Sequence, residues 1–183
     1  KNSNWQLWAS LDHLLPLLAE TSPDEFLIIL EKLIWTSSSV FSNLFEQEGD
    51  GITDGIYNSG MLWALETLAW DEIYLTRVTI ILGFLASIDP GGKYANRPVN
   101  SLTTIFLPWL PQTCAPVSKR KVAVSTLINE YPDHGWQLLV NLIPQNHQSS
   151  SGSHKPKYRK FINDTWSKEI SNKEYYDQIS MYS

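Results

Sequence analysis

Apolar residues at helical spacing, separated by short turns that contain Pro and Asp, constrain the fold of this sequence more than any other feature. In "TSPDEFLIILEKLIW", Ser22 is a favourable helix N-cap, Pro23 fits the first helical position, and Glu25 completes a capping box. The apolar residues that follow repeat at the spacing of one helix face: Phe26, Ile29, Leu30 and Leu33. The stretch therefore predicts an amphipathic helix that begins after Ser22.

The segment before this helix, "LWASLDHLLPLLAE", has the same periodicity. Pro16 stands inside it and is expected to kink or divide the helix, because proline cannot donate the intrahelical hydrogen bond. The predicted apolar face consists of leucines: Leu7, Leu11, Leu14, Leu15 and Leu18. Together with the "TSPD" turn, the two segments predict a helical hairpin over residues 7–35.

Residues 62–89 repeat this arrangement. They open with the same "LWA" that occurs at 7–9, and a short acidic joint at Asp71–Glu72 separates two apolar faces. The first face is Leu62, Leu65 and Leu68, and the second is Leu75, Val78, Ile81, Leu82 and Leu85. The segment predicts a second helical hairpin.

Residues 121–144 predict a third hairpin. Their turn at Pro132–Asp133 matches the turn at Pro23–Asp24. The residues after it repeat the spacing of the first hairpin's apolar face: Trp136, Leu139, Val140 and Ile143.

A single hairpin cannot bury its apolar face, so neighbouring hairpins must stack to form a core. The sequence therefore predicts an all-α fold, a degenerate HEAT- or armadillo-like array of helical hairpins with insertions. The alternative is a non-repeating helical bundle, because the spacing between the hairpins is irregular. No alternating run predicts a β-strand.

The array is expected to span residues 1–144. A polar, Ser-rich loop at 145–157 is expected to be mobile, and short helices at 158–183 are expected to pack on the array. The chain opens with the polar "KNSN", and we interpret it as a fragment of a larger protein. No apolar run approaches the ~20 residues of a membrane span. A single cysteine, Cys114, predicts a reducing, cytoplasmic setting.

The connector "DPGGKYANRPVN" contains Gly91-Gly92-Lys93, which suggests a phosphate-binding loop. That motif needs Gly five residues before its Gly-Lys pair and Ser or Thr after it, and this chain has Ser87 and Tyr94 there. We therefore expect an inter-helix connector in which Gly91 or Gly92 adopts positive φ. Pro98 is expected to open the next helix and Pro108 to kink it. A ligand role for Lys93 and Arg97 is the alternative.

Other candidate sites lack the required spacing. Aligned as a calcium loop, the acidic stretch Asp50–Gly55 places Ile52 and Met61 where oxygen ligands belong. The four histidines show no zinc-binding spacing, and nothing in the sequence marks Cys114 as an activated nucleophile. The sequence thus predicts no catalytic residue, no cofactor and no metal site.

Charge divides the chain into two halves. Residues 1–90 carry 3 Lys or Arg and 13 Asp or Glu, a net charge of −10, whereas residues 91–183 carry 11 and 6, a net charge of +5. The basic runs are Lys119–Lys121 and a second cluster of Lys155, Lys157, Arg159 and Lys160. The second run includes Tyr158 and precedes Phe161, so it combines cations with aromatic rings, as nucleic-acid-binding surfaces often do. It is therefore the candidate interaction site. A solvated face or an interface between domains is favoured over a nucleic-acid-binding surface.

One long string carries a family resemblance: "LETLAW", then "IDPGGKYANRPVNSLTTIFLPWLPQT", "GWQLLVNLIP" and "HKPKYRKF". It resembles the helical region of large bacterial signal-transduction ATPases with numerous domains (STAND proteins), a group that includes anti-phage defence proteins. The resemblance covers roughly residues 62–183. It implies a sensor or scaffold segment, with the ATPase elsewhere in the protein, because no phosphate loop is present here.

We therefore expect a non-catalytic interaction, scaffold or sensor segment of a larger cytoplasmic protein. Its partners would be other domains of the same polypeptide or another protein, and no membrane. The alternative is a nucleic-acid-contacting helical module that uses residues 155–160. An enzymatic function would need a pair of catalytic residues that the sequence does not reveal and that come together only in the folded protein.

Overall fold

The computed structural model describes residues 5–46, 57–92, 95–143, 150, 152–159 and 170–182. Within these ranges every regular element is helical and none is a strand, which confirms the predicted all-α class. The α-helices are α1 Trp5–Ser10, α2 Leu15–Thr21, α3 Pro23–Thr36, α4 Ser39–Glu46, α5 Ser59–Ala69, α6 Leu75–Ile88, α7 Pro98–Phe106, α8 Val117–Glu130, α9 Pro132–Leu142 and α10 Asn172–Tyr182. A single 3₁₀ turn, Asp12–Leu14, lies between α1 and α2.

Each of the three segments predicted as hairpins contains a pair of consecutive helices in contact: α2 with α3, α5 with α6, and α8 with α9. Helix α2 also packs on α5, α3 packs on α6, and α6 packs on α8. Helix α7 is an additional element that contacts α5, α6 and α9. The array-like repeat therefore stays a prediction, since the second and third pairs do not follow one another directly.

Proline divides the first helical segment as expected. Pro16 occupies the first turn of α2, where its missing N–H costs nothing, and the chain before it forms α1 and the 3₁₀ turn. The 3₁₀ turn is tied to the next hairpin, because the N–H of Gly60 donates to Asp12 Oδ1 at 2.7 Å. Burial raises the pKa of Asp12, and the Gly60 hydrogen bond opposes that rise.

The core is centred on the second hairpin. All the aliphatic positions predicted to face inward from α5 and α6 are buried: Leu62, Leu65, Leu68, Leu75, Val78, Ile81, Leu82 and Leu85. Gly83 on α6 lies so close to α8 that a Cβ added at this glycine would be 2.5 Å from Leu127 Cδ1. The close approach of these helices explains why α5 and α6 are apolar on most of their surfaces.

The predicted face of α9 is mostly wrong: of its four residues, only Leu139 packs against the core. Trp136 is 69% exposed, and Val140 and Ile143 are also exposed, while α9 buries Gly135, Leu138 and Leu142. The physical reason is the contact of α9 with α8: a Cβ at Gly135 would lie 2.7 Å from Ile128 Cα. The glycine allows the two backbones to approach, and this approach sets which side of α9 faces inward.

The faces predicted for the first hairpin are only partly buried. Phe26, Leu30 and Leu33 face the core as expected, together with Leu27, but Ile29 is 51% exposed. Of the leucines before them, Leu15 is buried, whereas Leu7, Leu14 and Leu18 are exposed. Six of these side chains line a groove described below: Leu7, Leu15, Leu18, Phe26, Ile29 and Leu33.

The capping box at Ser22 differs from the expected geometry. The Ser22 hydroxyl donates to Glu25 Oε2 at 2.6 Å, and no side-chain cap is made to a backbone N–H. This bond lowers the pKa of Glu25. Ser22 and Glu25 therefore pair as predicted, but the pair restrains side chains instead of satisfying the free amides of α3.

The 89–98 connector has the predicted backbone geometry. Gly91 has a φ of 76°, its N–H donates to Asp89 Oδ1 at 3.0 Å, and Pro98 begins α7. Arg97 and Asp89 form a buried ion pair at 2.7 Å, so Arg97 has a structural role. Lys93 lies outside the described residues. Pro108 does not kink α7, because that helix ends at Phe106.

Replacing Gly91 with Val is expected to destabilise the protein by about 1–3 kcal/mol, because a β-branched residue is strained at positive φ. No atom lies within 4 Å of a Cβ built there, so backbone strain is the sole source of the loss. Urea unfolding measures the effect. Gly91→Asn is the control and should lose less, since Asn tolerates left-handed backbone; equal losses would contradict the strain argument.

Candidate functional site

Lys155, Lys157 and Arg159 of the predicted basic cluster lie on a non-helical segment packed against α5. We call residues 152–159 the strap. Lys155 and Lys157 are exposed, Arg159 is partly exposed, and Lys160 lies outside the described residues. The other basic run does not form a surface cluster, because Arg120 is fully buried against Glu174.

Side chains of the helical body bind the backbone of the strap. Glu66 Oε2 accepts the His154 N–H at 2.9 Å, and Gln112 Oε1 accepts the Ser153 N–H at 3.2 Å. Trp70 Nε1 donates to the His154 carbonyl at 3.0 Å and lies 3.1 Å from Ser153 Oγ. The composition of the strap predicted a polar loop and contains no signal for these contacts.

The strap side chains make ring and charge contacts with the same surface. The His154 ring stacks on Trp63 at 5.3 Å between centroids, with 10° between the planes. Lys155 Nζ lies 5.0 Å from the centroid of the Trp70 ring. Arg159 lies over Tyr74 and pairs with Asp71 at 3.4 Å. Two of the predicted interaction residues, Lys155 and Arg159, therefore hold the strap in place.

Opposite charge helps to hold the strap on the helices. Glu66 and Asp71 come from the acidic half of the chain, and Glu20 on α2 accepts the Tyr158 N–H at 3.2 Å. Burial lowers the pKa of His154; the charge of Lys157 acts in the same direction, and Glu66 and Glu20 oppose it. The split in net charge thus corresponds, at the strap, to an internal contact between the two halves.

A half-open cavity of about 310 Å³ lies between the strap and α2. It is bordered by His13, Glu20, Trp63, Lys157 and Tyr158. The combination of rings and charges of both signs can bind a polar group.

The remaining candidates for chemistry are not assembled into a site. Among the described residues, no group of three or more His, Cys, Asp or Glu side chains could hold a metal ion. Cys114 is partly buried, and its N–H donates to the Trp70 carbonyl at 2.9 Å. The acidic stretch Asp50–Gly55 lies outside the described residues. None of the helices in the described part of the chain is long and apolar enough to span a membrane.

An apolar groove of about 460 Å³ lies on the first hairpin. Ser22 and Glu25 stand on its rim, and its walls come from α1, α2 and α3: Leu7, Trp8, Leu11, Leu18, Phe26 and Ile29. Several of these side chains are about half exposed. Sequence reasoning placed them in the core, because periodicity identifies an apolar face without showing what covers it.

Comparisons with protein-family models, with curated proteins and with solved structures find no match. The resemblance to the helical region of STAND proteins therefore stays a prediction.

Proposed function

We propose that this chain is a non-catalytic protein-interaction module, and that the groove on α1–α3 is the surface through which it binds. The groove supports this proposal because it is a concave surface lined mainly by apolar side chains, several of them about half exposed, and such concavities are preferred binding sites. The module would serve as a scaffold or sensor segment within a larger cytoplasmic protein, with any enzymatic activity in other domains. Nucleic-acid binding through residues 155–160 is the weaker candidate, because Lys155 and Arg159 already contact the helical body.

The partner that best fits the groove is an amphipathic helix with basic residues beside its apolar face. The groove is formed by helices and is apolar at its base, which suits a helix that presents residues at i, i+3, i+4 and i+7. Residues 5–36 contain five acidic side chains and one lysine: Asp12, Glu20, Asp24, Glu25, Glu31 and Lys32. Arg77 on α6 pairs with Asp24 and Glu31, which leaves this face with a net charge of −3. A basic helix would therefore be attracted to this face.

Two adjacent isoleucines allow a matched test of the groove. Ile29 lines it and Ile28 does not, yet they are 51% and 55% exposed. We expect a fluorescein-labelled Leu- and Lys-containing amphipathic helical peptide to bind the protein in an anisotropy titration. Ile29→Glu should weaken this binding about tenfold or more, because it places an unpaired charge in the apolar contact, whereas Ile28→Glu should not.

The same peptide with Glu in place of Lys should bind much more weakly. Sedimentation velocity tests the other occupant, a second copy of this chain. A dimer that Ile29→Glu dissociates would assign the groove to self-association and overturn the helix proposal. Equal effects of Ile28→Glu and Ile29→Glu, or no peptide binding, would also contradict it.

A further inference from the structure

The helical body binds the strap as proteins bind an extended peptide. Three backbone groups of two consecutive strap residues, the N–H of Ser153 and the N–H and carbonyl of His154, are each bonded to a side chain of the body. Backbone bonds of this kind favour extended geometry and are indifferent to most side chains, which leaves selectivity to the flanking contacts.

The binding groups are positioned by contacts that do not involve the strap. Glu66 Oε1 accepts the Ser101 hydroxyl at 2.6 Å, Gln112 Nε2 donates to the Leu110 carbonyl at 3.0 Å, and the Trp70 side chain is fully buried. If the strap left, Glu66 Oε2, Gln112 Oε1 and Trp70 Nε1 would lose the bonds described above. Because unpaired polar groups at a partly buried surface are costly, a peptide that restores those bonds is favoured over an empty surface.

The strap also shows what chemistry the surface selects. Gly152 has a φ of 82°, and a Cβ there would lie 3.2 Å from Gln112 Oε1, so the first position favours glycine. Counting from Gly152 as the first position, the third is His154, whose ring stacks on Trp63, and the fourth is Lys155, whose cation lies over Trp70. The eighth is Arg159, which pairs with Asp71. The selected ligand is therefore an extended basic peptide.

We propose that the surface formed by Glu66, Trp70, Gln112 and Trp63 is a peptide-binding site and that the strap is its internal ligand. An extended basic segment of a partner protein binds there by displacing the strap. This site is separate from the α1–α3 groove and does not depend on the function proposed for that groove. The strap lies at the surface, with Lys155, Lys157 and Tyr158 exposed to solvent, so a competing peptide can reach it.

The test uses a labelled peptide, GSHKPKYR, which copies residues 152–159, and a variant that weakens the internal ligand alone. His154→Pro removes the N–H that Glu66 accepts and the ring that stacks on Trp63, and leaves the groups of the helical body unchanged. If the strap occupies the site more than about nine-tenths of the time, the peptide should bind His154→Pro about tenfold or more tightly than the parent chain. Lys157→Ala is the control and should leave peptide affinity near that of the parent.

Two changes should weaken the binding of the peptide to the His154→Pro protein. The peptide GSPKPKYR lacks the corresponding N–H and should bind at least about tenfold more weakly. Adding Trp70→Phe removes the indole N–H and retains a buried ring, and it should have a similar effect. Equal affinity for the parent and His154→Pro, binding that ignores both changes, or no binding would each overturn the proposal.

Hydrogen exchange on the parent chain provides a measurement that does not depend on a variant. Excess unlabelled GSHKPKYR should speed exchange of the chain's own Ser153 and His154 amides, and GSPKPKYR should not. Unchanged exchange at saturating peptide would overturn the displacement. A parent dimer that His154→Pro abolishes would assign the site to the strap of a second copy and overturn the assignment to a partner protein.

Discussion

Replacing Gly60 with Ala is expected to destabilise this protein by about 3–5 kcal/mol, at the upper end of the range for overpacked sites. A Cβ at Gly60 would lie 1.7 Å from the Asp12 carbonyl oxygen and 2.5 Å from its carbonyl carbon. Both are backbone atoms of the 3₁₀ turn, so no rotamer change can relieve the clash. The substitution must separate this turn from α5 and weaken the contact of α2 with α5.

Urea unfolding followed by circular dichroism measures the change in free energy. Ser59→Ala is the matched control, since it alters the preceding residue in α5 and should change stability by about 0.5 kcal/mol or less. Adding Asp12→Ala to Gly60→Ala should not restore stability, because the obstructing carbonyl remains. A loss below about 1 kcal/mol for Gly60→Ala would contradict the close approach of these backbones.

Replacing Glu174 with Ala is expected to cost about 3–5 kcal/mol, because it leaves the Arg120 guanidinium buried without its charge partner. Arg120 has no exposed side-chain surface, and its pair with Glu174 joins α8 to α10. Among the described residues, no hydrogen-bond partner is found for two further guanidinium nitrogens of Arg120, Nε and Nη1. The pair with Glu174 therefore carries most of the compensation for burying this charge.

A double-mutant cycle distinguishes this pair from general packing of α10. Arg120→Met should lose less than Glu174→Ala, because it removes the buried charge and leaves a partly exposed carboxylate. Adding Arg120→Met to Glu174→Ala should recover stability relative to Glu174→Ala alone. Lys173→Ala, at an exposed neighbour, should change stability by about 0.5 kcal/mol or less. Equal losses for Lys173→Ala and Glu174→Ala would show that the charge pair is unimportant.

The buried arginine also shows how far a local pattern can be interpreted. Lys119, Arg120 and Lys121 form a basic run in the sequence. In the structure Lys119 and Lys121 are exposed, while Arg120 points into the interface with α10. Charge alone could not separate them, because the helix that covers Arg120 lies more than 50 residues further along the chain.

The strap illustrates the same limit for the candidate site. The sequence singled out Lys155, Lys157, Arg159 and Lys160 by composition, and the first three lie on or beside the surface that holds the strap. The residues that bind its backbone, Glu66, Trp70 and Gln112, were not predicted. They stand at least 40 residues away from the strap and belong to no motif, so only the fold could bring them together.

The sequence by itself determined the helical character of the chain, the division at Pro16, the inward faces of α5 and α6, and the positive φ at Gly91. These features depend on neighbouring residues within one or two turns, where periodicity, proline and glycine act directly on the backbone. Only the tertiary structure decided which side of α9 faces inward, which leucines of the first hairpin stay uncovered, and where the strap docks. Those outcomes depend on how closely distant backbones approach, as at Gly60 and Gly135, and on which polar groups must be paired once the helices have packed.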